Sequence, residues 1–199
     1  LWDNATKAQP LYVLATILLT VISYILRAAR WPLLFPDTPL PLGSSYRVLV
    51  LGFFMNNILP ARAGELVRAH LGAKVVGKPR TLVLATIASE RLADGLTISL
   101  MFAGIIMVFG QGHLDPEYAT NLMYVAYLFI AVALGVVAVL SMRTKIFSIT
   151  DRYTEKLDNR ASTYTLSRLK IFIHGLSPLC VPSRAFKITL WSLTIWLVE

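Results

Sequence analysis

Four apolar runs, at residues 11–25, 48–59, 82–109 and 122–140, with a fifth beginning near Ile188, leave this chain little choice of solvent. A helix needs roughly 20 apolar residues to cross the hydrocarbon core of a bilayer, and seldom fewer than about 17. With their flanks, the first, third and fourth runs reach that length, whereas 48–59 falls short. Hydrophobic residues make up 56% of the chain and charged ones only 15%, and the mean hydropathy of +0.63 is spread along its length rather than gathered at one end. That distribution argues for several spans and against a soluble domain on a single anchor. The expected fold class is all-α: a polytopic integral membrane helical bundle.

Loop charge orients the bundle. Segment 27–47 carries Arg27, Arg30 and Arg47 against Asp37, and segment 62–80 carries Arg62, Arg68, Lys74, Lys78 and Arg80 against Glu65. Segment 111–120 holds only Asp115, Glu117 and His113, and 142–187 is again basic. Positive-inside bias therefore places both flanks of 48–59 in the cytoplasm and the 110–120 loop outside. A short run whose two ends share a side is most simply a re-entrant half-helix, at about 47–60, which membranes tolerate only where protein or water surrounds the broken backbone. A full but bent span starting around Leu40, approached through the Pro-rich stretch 32–41, stays open as the alternative. The chain thus reads as one transmembrane domain, 1–199, with spans at 10–26, 82–110, 120–141 and from 186 onward, and a cytoplasmic or interfacial stretch at 142–185. Because it starts at Leu1 and stops at Glu199 inside an apolar run, further helices are expected at both ends.

The smaller signals are consistent with this. Run 11–25 lacks a basic leader and a small-residue cleavage site, and Arg27 and Arg30 follow it, so it is a span and not a removed signal. Leu169, Phe172, Ile173 and Leu176 fall at helical spacing among Arg168, Lys170 and His174, which suggests an interfacial amphipathic helix or, failing that, a solvated loop. Cys180 has no partner at disulfide or metal-ligand spacing, so it packs as a small apolar residue and no cofactor is expected. The net charge of +8 would suit nucleic acid in a soluble chain; here it suits cytoplasmic loops facing anionic lipid.

The most costly residues in the chain are Glu90, Arg91 and Asp94, set inside the third run. Each charge at the middle of a span costs about 2.5–3.5 kcal/mol on insertion scales, so these need partners or water. Glu90 and Asp94 lie one turn apart on one helical face and repel unless a cation stands nearby, while Arg91 points about 100° away. Candidate cations follow the short run directly: Arg62 and Arg68, with Glu65 between them, spaced to face one side of a short helix. The expected network pairs Arg62 or Arg68 with Glu90 or Asp94, and Glu65 with Arg91. Ahead of it, Asn56 and Asn57 place amides near the tip of the broken helix, which Pro60 ends. Such pairs could also be plain clamps between helices.

Asn57, Leu59-Pro60, Arg62, Gly64-Glu65 and Arg68, followed by Glu90-Arg91 and Asp94, resemble the transmembrane domain of the lysylphosphatidylglycerol synthases and their stand-alone relatives. Arg27 to Trp31 is similar to the basic, aromatic end of an early helix in that family, and Trp196-Leu197-Val198-Glu199 to a later helix with an embedded acid. The resemblance implies a flippase-like domain in the prokaryotic cytoplasmic membrane that moves a polar-headed lipid, such as an aminoacylated phosphatidylglycerol or a polyprenyl-linked sugar. It does not imply the aminoacyl transferase, a separate soluble domain in the fused proteins, so a translocase is expected before an enzyme.

A polar cavity would replace the water that a head group loses over about 30 Å of hydrocarbon. Arg62, Arg68 and Arg91 suit a phosphate, Glu65, Glu90 and Asp94 would hold those arginines or take a cationic head, and Asn56 and Asn57 suit hydroxyls. The partner is an anionic or isoprenoid-linked membrane lipid, not nucleic acid, with a homo-oligomer left open. The competing readings are a membrane-embedded glycosyltransferase or accessory protein acting on lipid-linked sugars, with Glu90 or Asp94 as base, and a purely structural partner.

Overall fold

The computed structural model describes residues 9–37, 40–109, 116–142, 145, 147–148 and 160–199, and these are helical throughout, with no strand among the described residues. The first helix, α1 (Pro10–Arg30), opens on a proline, whose missing N–H is among those a helix start leaves unpaired anyway. It closes with Arg27 and Arg30 in its last turn and tightens into a 3₁₀ turn, Trp31–Leu34. Its amphipathicity is inverted. The buried positions are Ser23, Arg27, Ala28 and Arg30, while Leu11, Leu14, Ile17, Leu18 and Ile22 are exposed. A helix that turns leucines outward and arginines inward has lipid, not water, as its natural surroundings. By length and composition, Pro10–Leu34 and Met123–Ser141 are able to cross a membrane.

Helices α2 (Leu42–Ile58) and α3 (Gly64–Val76) form an antiparallel hairpin. At its base the Ser45 hydroxyl donates to the Ala28 carbonyl at 2.7 Å, and Gly72 abuts the rings of Trp31 and the side chain of Val83. Both ends of the hairpin therefore lie beside the end of α1 and the start of the following helix. At its tip, Leu59 is extended and Ala61 and Arg62 are both left-handed, with φ of 55° and 54°. Just past the tip the two helices nearly touch: a Cβ on Gly64 would collide with the Gly52 carbonyl and with Asn56. The helical part of this segment starts at Leu42 rather than near residue 47, because Ser45, a weak helix former, has its hydroxyl satisfied by α1.

Gly77, at φ 67°, ends α3 in the left-handed conformation common at helix C-termini, and α4 (Arg80–Phe109) follows within three residues. Its 30 residues give a length of about 45 Å. α5 (Pro116–Ser141) returns along it, with Phe129 seated on Gly95, where no side chain would fit. Of the 110–120 loop expected outside the membrane, 110–115 lie outside the described residues, and Glu117 to Thr120 are the start of α5. α6 (Arg160–Gly175) realises the amphipathic segment from Arg160 on: Ile173 and Leu176 pack with Ala85 and Leu140, while Leu169 stays exposed. Residues 149–159 lie outside the described residues. A 3₁₀ turn, Ser177–Cys180, leads to α7 (Pro182–Val198). Cys180 is exposed there instead of packed. The main apolar core, with Trp31, Leu34, Val48, Ala69, Val83 and Ile188, joins α1, the hairpin, α4 and α7.

Candidate functional site

Glu90 lies ten residues into α4, about 15 Å along its axis, and has no exposed surface. Its Oε2 accepts a hydrogen bond from Arg68 Nη2 at 2.6 Å, and its Oε1 lies 3.4 Å from Arg30 Nη2 and 3.5 Å from Arg91 Nη2. One turn on, Asp94 receives both terminal nitrogens of Arg30: Nη1 bonds Oδ1, and Nη2 bonds Oδ2 at 3.1 Å. This is the two-pronged geometry that a guanidinium gives a carboxylate. Ser192 from α7 accepts a further bond from Arg30 Nη1 at 2.5 Å.

The network extends in two directions. Arg27 Nη1 is 3.5 Å from Asp94, and its Nη2 donates to Glu199 at 2.6 Å, with Ser23 also donating to Glu199 at 2.5 Å. On the other side Arg91 Nε pairs with Glu65 at 3.2 Å, both partly exposed. The pairs link four arginines, Arg27, Arg30, Arg68 and Arg91, to four carboxylates, Glu65, Glu90, Asp94 and Glu199. The cluster is therefore formally neutral, which is what a low-dielectric interior demands of buried charge.

Local sequence sets these positions. Arg68 is fully buried because Gly52 on α2 leaves room for its stem, and its guanidinium lies over the Trp31 ring, 4.0 Å from the centroid. Trp31 is fixed in turn by its indole N–H donating to Thr86 Oγ1 at 3.1 Å. Several buried polar atoms nonetheless lack a hydrogen-bond partner in the protein: Arg30 Nε, Arg68 Nε and Nη1, Ser89 Oγ and Asn56 Oδ1.

A cavity of about 290 Å³ opens onto the cluster, lined by Arg27, Arg91 and Glu199 together with Asn56, Asn57, Tyr24 and Phe53. The Tyr24 and Phe53 rings pack at 5.2 Å. Asn57 spends one amide hydrogen on the Phe53 carbonyl at 3.0 Å, and Asn56 Oδ1 has no donor.

Of the residues singled out in the sequence, Arg68, Glu90, Arg91, Asp94 and Glu65 meet in one network, and Asn56, Asn57 and Arg91 line the cavity. Two expected pairings are corrected. Arg62 reaches neither carboxylate: it sits exposed on the left-handed tip and has no ion-pair partner among the described residues. Asp94 is held by Arg30 and Arg27 of α1, not by the arginines after the short run. Arg27, Arg30, Ser192 and Glu199 were missed as site residues. The available signal was the pair of arginines one turn apart at the end of an apolar helix, followed by a tryptophan.

Along its whole length, residues 1–199, the sequence matches the family described as lysylphosphatidylglycerol synthase TM region. The chain belongs to that family. Two curated relatives are 28% identical to it. One, a UPF0104 membrane protein of Methanothermobacter thermautotrophicus, aligns over 112 residues, 54% of this chain and 32% of the relative. The other, a UPF0104 membrane protein of Methanocaldococcus jannaschii, aligns over 120 residues, 55% of this chain and 34% of the relative. The matched region thus spans about a third of each relative's length. No solved structure matches the chain. As a lysylphosphatidylglycerol synthase TM region, the bundle is a helical membrane protein, and the outward leucines of α1 and the inward arginines are two aspects of that placement.

Proposed function

We propose that this domain takes the polar head of a membrane lipid into the cavity beside the ion-pair cluster and carries it between leaflets. The reading rests on one observation: the cavity is lined by Arg27, Arg91 and Glu199, at the accessible ends of an otherwise buried network. A guanidinium there can leave a partly exposed carboxylate for a lipid phosphate, while the fully buried Arg30, Arg68 and Glu90 keep the helices in register. Asn56 and Asn57 can bond glycerol or sugar hydroxyls. The α2–α3 hairpin acts as a re-entrant element, entering and leaving from the cytoplasmic side with its left-handed tip at depth, in keeping with broken helices flanking transporter sites. The substrate class is an aminoacylated phosphatidylglycerol or a polyprenyl-linked sugar, and the setting is the cytoplasmic membrane of a prokaryote.

The test uses Arg91→Gln in the full-length protein, expressed at the natural level, with leaflet exposure of the candidate lipid measured in intact cells. Arg91 is about one-third exposed, so the variant keeps the fold. Loss of exposure with unchanged thermal stability is expected. Full activity in this variant and in Arg27→Gln would reduce the cluster to a clamp between helices.

A further inference from the structure

The α3–α4 turn and α6 enclose a second cavity, of about 540 Å³, whose charged lining is entirely basic: His70, Lys74, Lys78 and Arg80 from one side, with Arg168 and the ring of Tyr164 facing them from α6. Among the described residues none of the four Lys and Arg side chains has a carboxylate within ion-pair distance. The contrast with the buried cluster is instructive. There every arginine has an acid, whereas here cations converge on open space with no internal counter-charge.

The surroundings aim donors into that space. Arg168 is held by stacking on Tyr164, 4.6 Å from the ring centroid, which orients its guanidinium without using its N–H groups. Arg80 and Thr81 begin a 30-residue helix, and no backbone carbonyl accepts from their N–H groups, so the positive end of that helix dipole also lies on the cavity wall. The left-handed Gly77 folds the chain so that Lys78 and Arg80 come up beside Lys74. The local potential is already felt by His70, whose pKa is held below the ordinary 6.5, first by Arg80, then by partial burial and by Lys74.

We infer that this cavity binds a phosphate group, the head of an anionic lipid or a phosphorylated solute, as a site separate from the charged cluster of α1 and α4. A guanidinium pairs with two phosphate oxygens, the lysines act as point charges, and the helix N-terminus supplies backbone donors, so one phosphate satisfies groups that the protein leaves unanswered. The cavity lies at the start of α4, about 15 Å along the helix from Glu90, and on a basic segment, which places it at the cytoplasmic surface.

The full-length protein is purified in neutral detergent and its thermal midpoint followed during four titrations: phosphatidylglycerol, phosphatidylcholine, inorganic phosphate, and chloride at matched ionic strength. Wild type should be stabilised by phosphatidylglycerol or inorganic phosphate and by neither control. A response to phosphatidylglycerol alone assigns the site to lipid, and a response to inorganic phosphate as well assigns it to any accessible phosphate. Each cation near an anionic partner contributes about fivefold, so Lys74→Gln/Lys78→Gln should need about 25-fold more ligand for the same shift. Arg168→Gln, on a different helix, should need about fivefold more, which keeps the test open if the double variant folds poorly. Equal titration of wild type and variants, or no shift with either anion, overturns the inference. Arg91→Gln should titrate as wild type, so failure of the transport reading leaves this result standing.

Discussion

Replacing Glu90 by glutamine keeps the size of the side chain and removes the charge on which three arginines converge. Arg68 suffers most, because Glu90 is its only carboxylate and it is 1% exposed; Arg30 and Arg91 retain Asp94 and Glu65. The direct attraction of one close pair is about 4 kcal/mol at the dielectric that describes partly polar protein. Stranding one member of a buried pair costs about 3–5 kcal/mol in practice. Glu90→Gln should therefore lower stability by that amount, and Arg68→Gln by a comparable one, since it strands Glu90 with only the longer contacts to Arg30 and Arg91. The double variant, which removes both charges, should cost much less than the sum, with a coupling of about 2 kcal/mol or more. Reversible unfolding of the full-length protein in mixed micelles measures all three. Single costs below about 1 kcal/mol that simply add would refute the claim that this pair is buried and mutually dependent.

Gly64→Ala should destabilise by about 2–3 kcal/mol and loosen the α2–α3 hairpin, since the new methyl meets the Gly52 carbonyl and not a side chain that can swing away; cross-linking efficiency between cysteines on the two helices reads the separation. Ala61→Gly should raise stability by about 0.5–1 kcal/mol, because relief of a left-handed alanine, about 1–2 kcal/mol, outweighs the extra chain entropy of glycine. For His70 the proton is bound less readily by the folded chain than by the unfolded one, so the contribution is full above pH 6.5 and is lost as pH falls below it towards the depressed folded value. Lys74→Gln should move the His70 titration, followed by NMR, upward towards 6.5, while leaving the larger effect of Arg80 in place.

Glu90 and Asp94 were legible in the sequence because acids in an apolar helix are rare and costly enough to announce a function or a partner. Glu65 and Arg68 were legible from their spacing, which puts both on the inner side of α3 once that helix exists. Arg62 misled for the same reason. Its spacing from Glu65 assumes one continuous helix, but the helix begins at Gly64, and the left-handed turn before it sends Arg62 outward. Arg27 and Arg30 were hidden by a different physical ambiguity. An arginine at the end of an apolar run reads as a marker of the membrane surface, and only the packing of α4 and α7 against α1, far away in the chain, turns these two inward onto Asp94 and Glu199. The hairpin was legible as a short run with like-charged flanks, but its tight apposition depends on Gly52 and Gly64, which carry no pattern of their own.

The equal numbers of guanidiniums and carboxylates in the cluster make it an exchange device. A visiting anion that draws Arg91 away from Glu65, or Arg27 from Glu199, leaves a carboxylate without its cation, and in a poorly hydrated place that residue must be neutralised. A head group bearing both a phosphate and an ammonium does this itself, by swapping one internal pair for two external ones at constant total charge. A singly charged head group needs a companion, and the simplest companion is a proton on the abandoned acid. On the proposed function, zwitterionic heads would then move without a pH gradient, whereas a purely anionic head would draw a proton along with it.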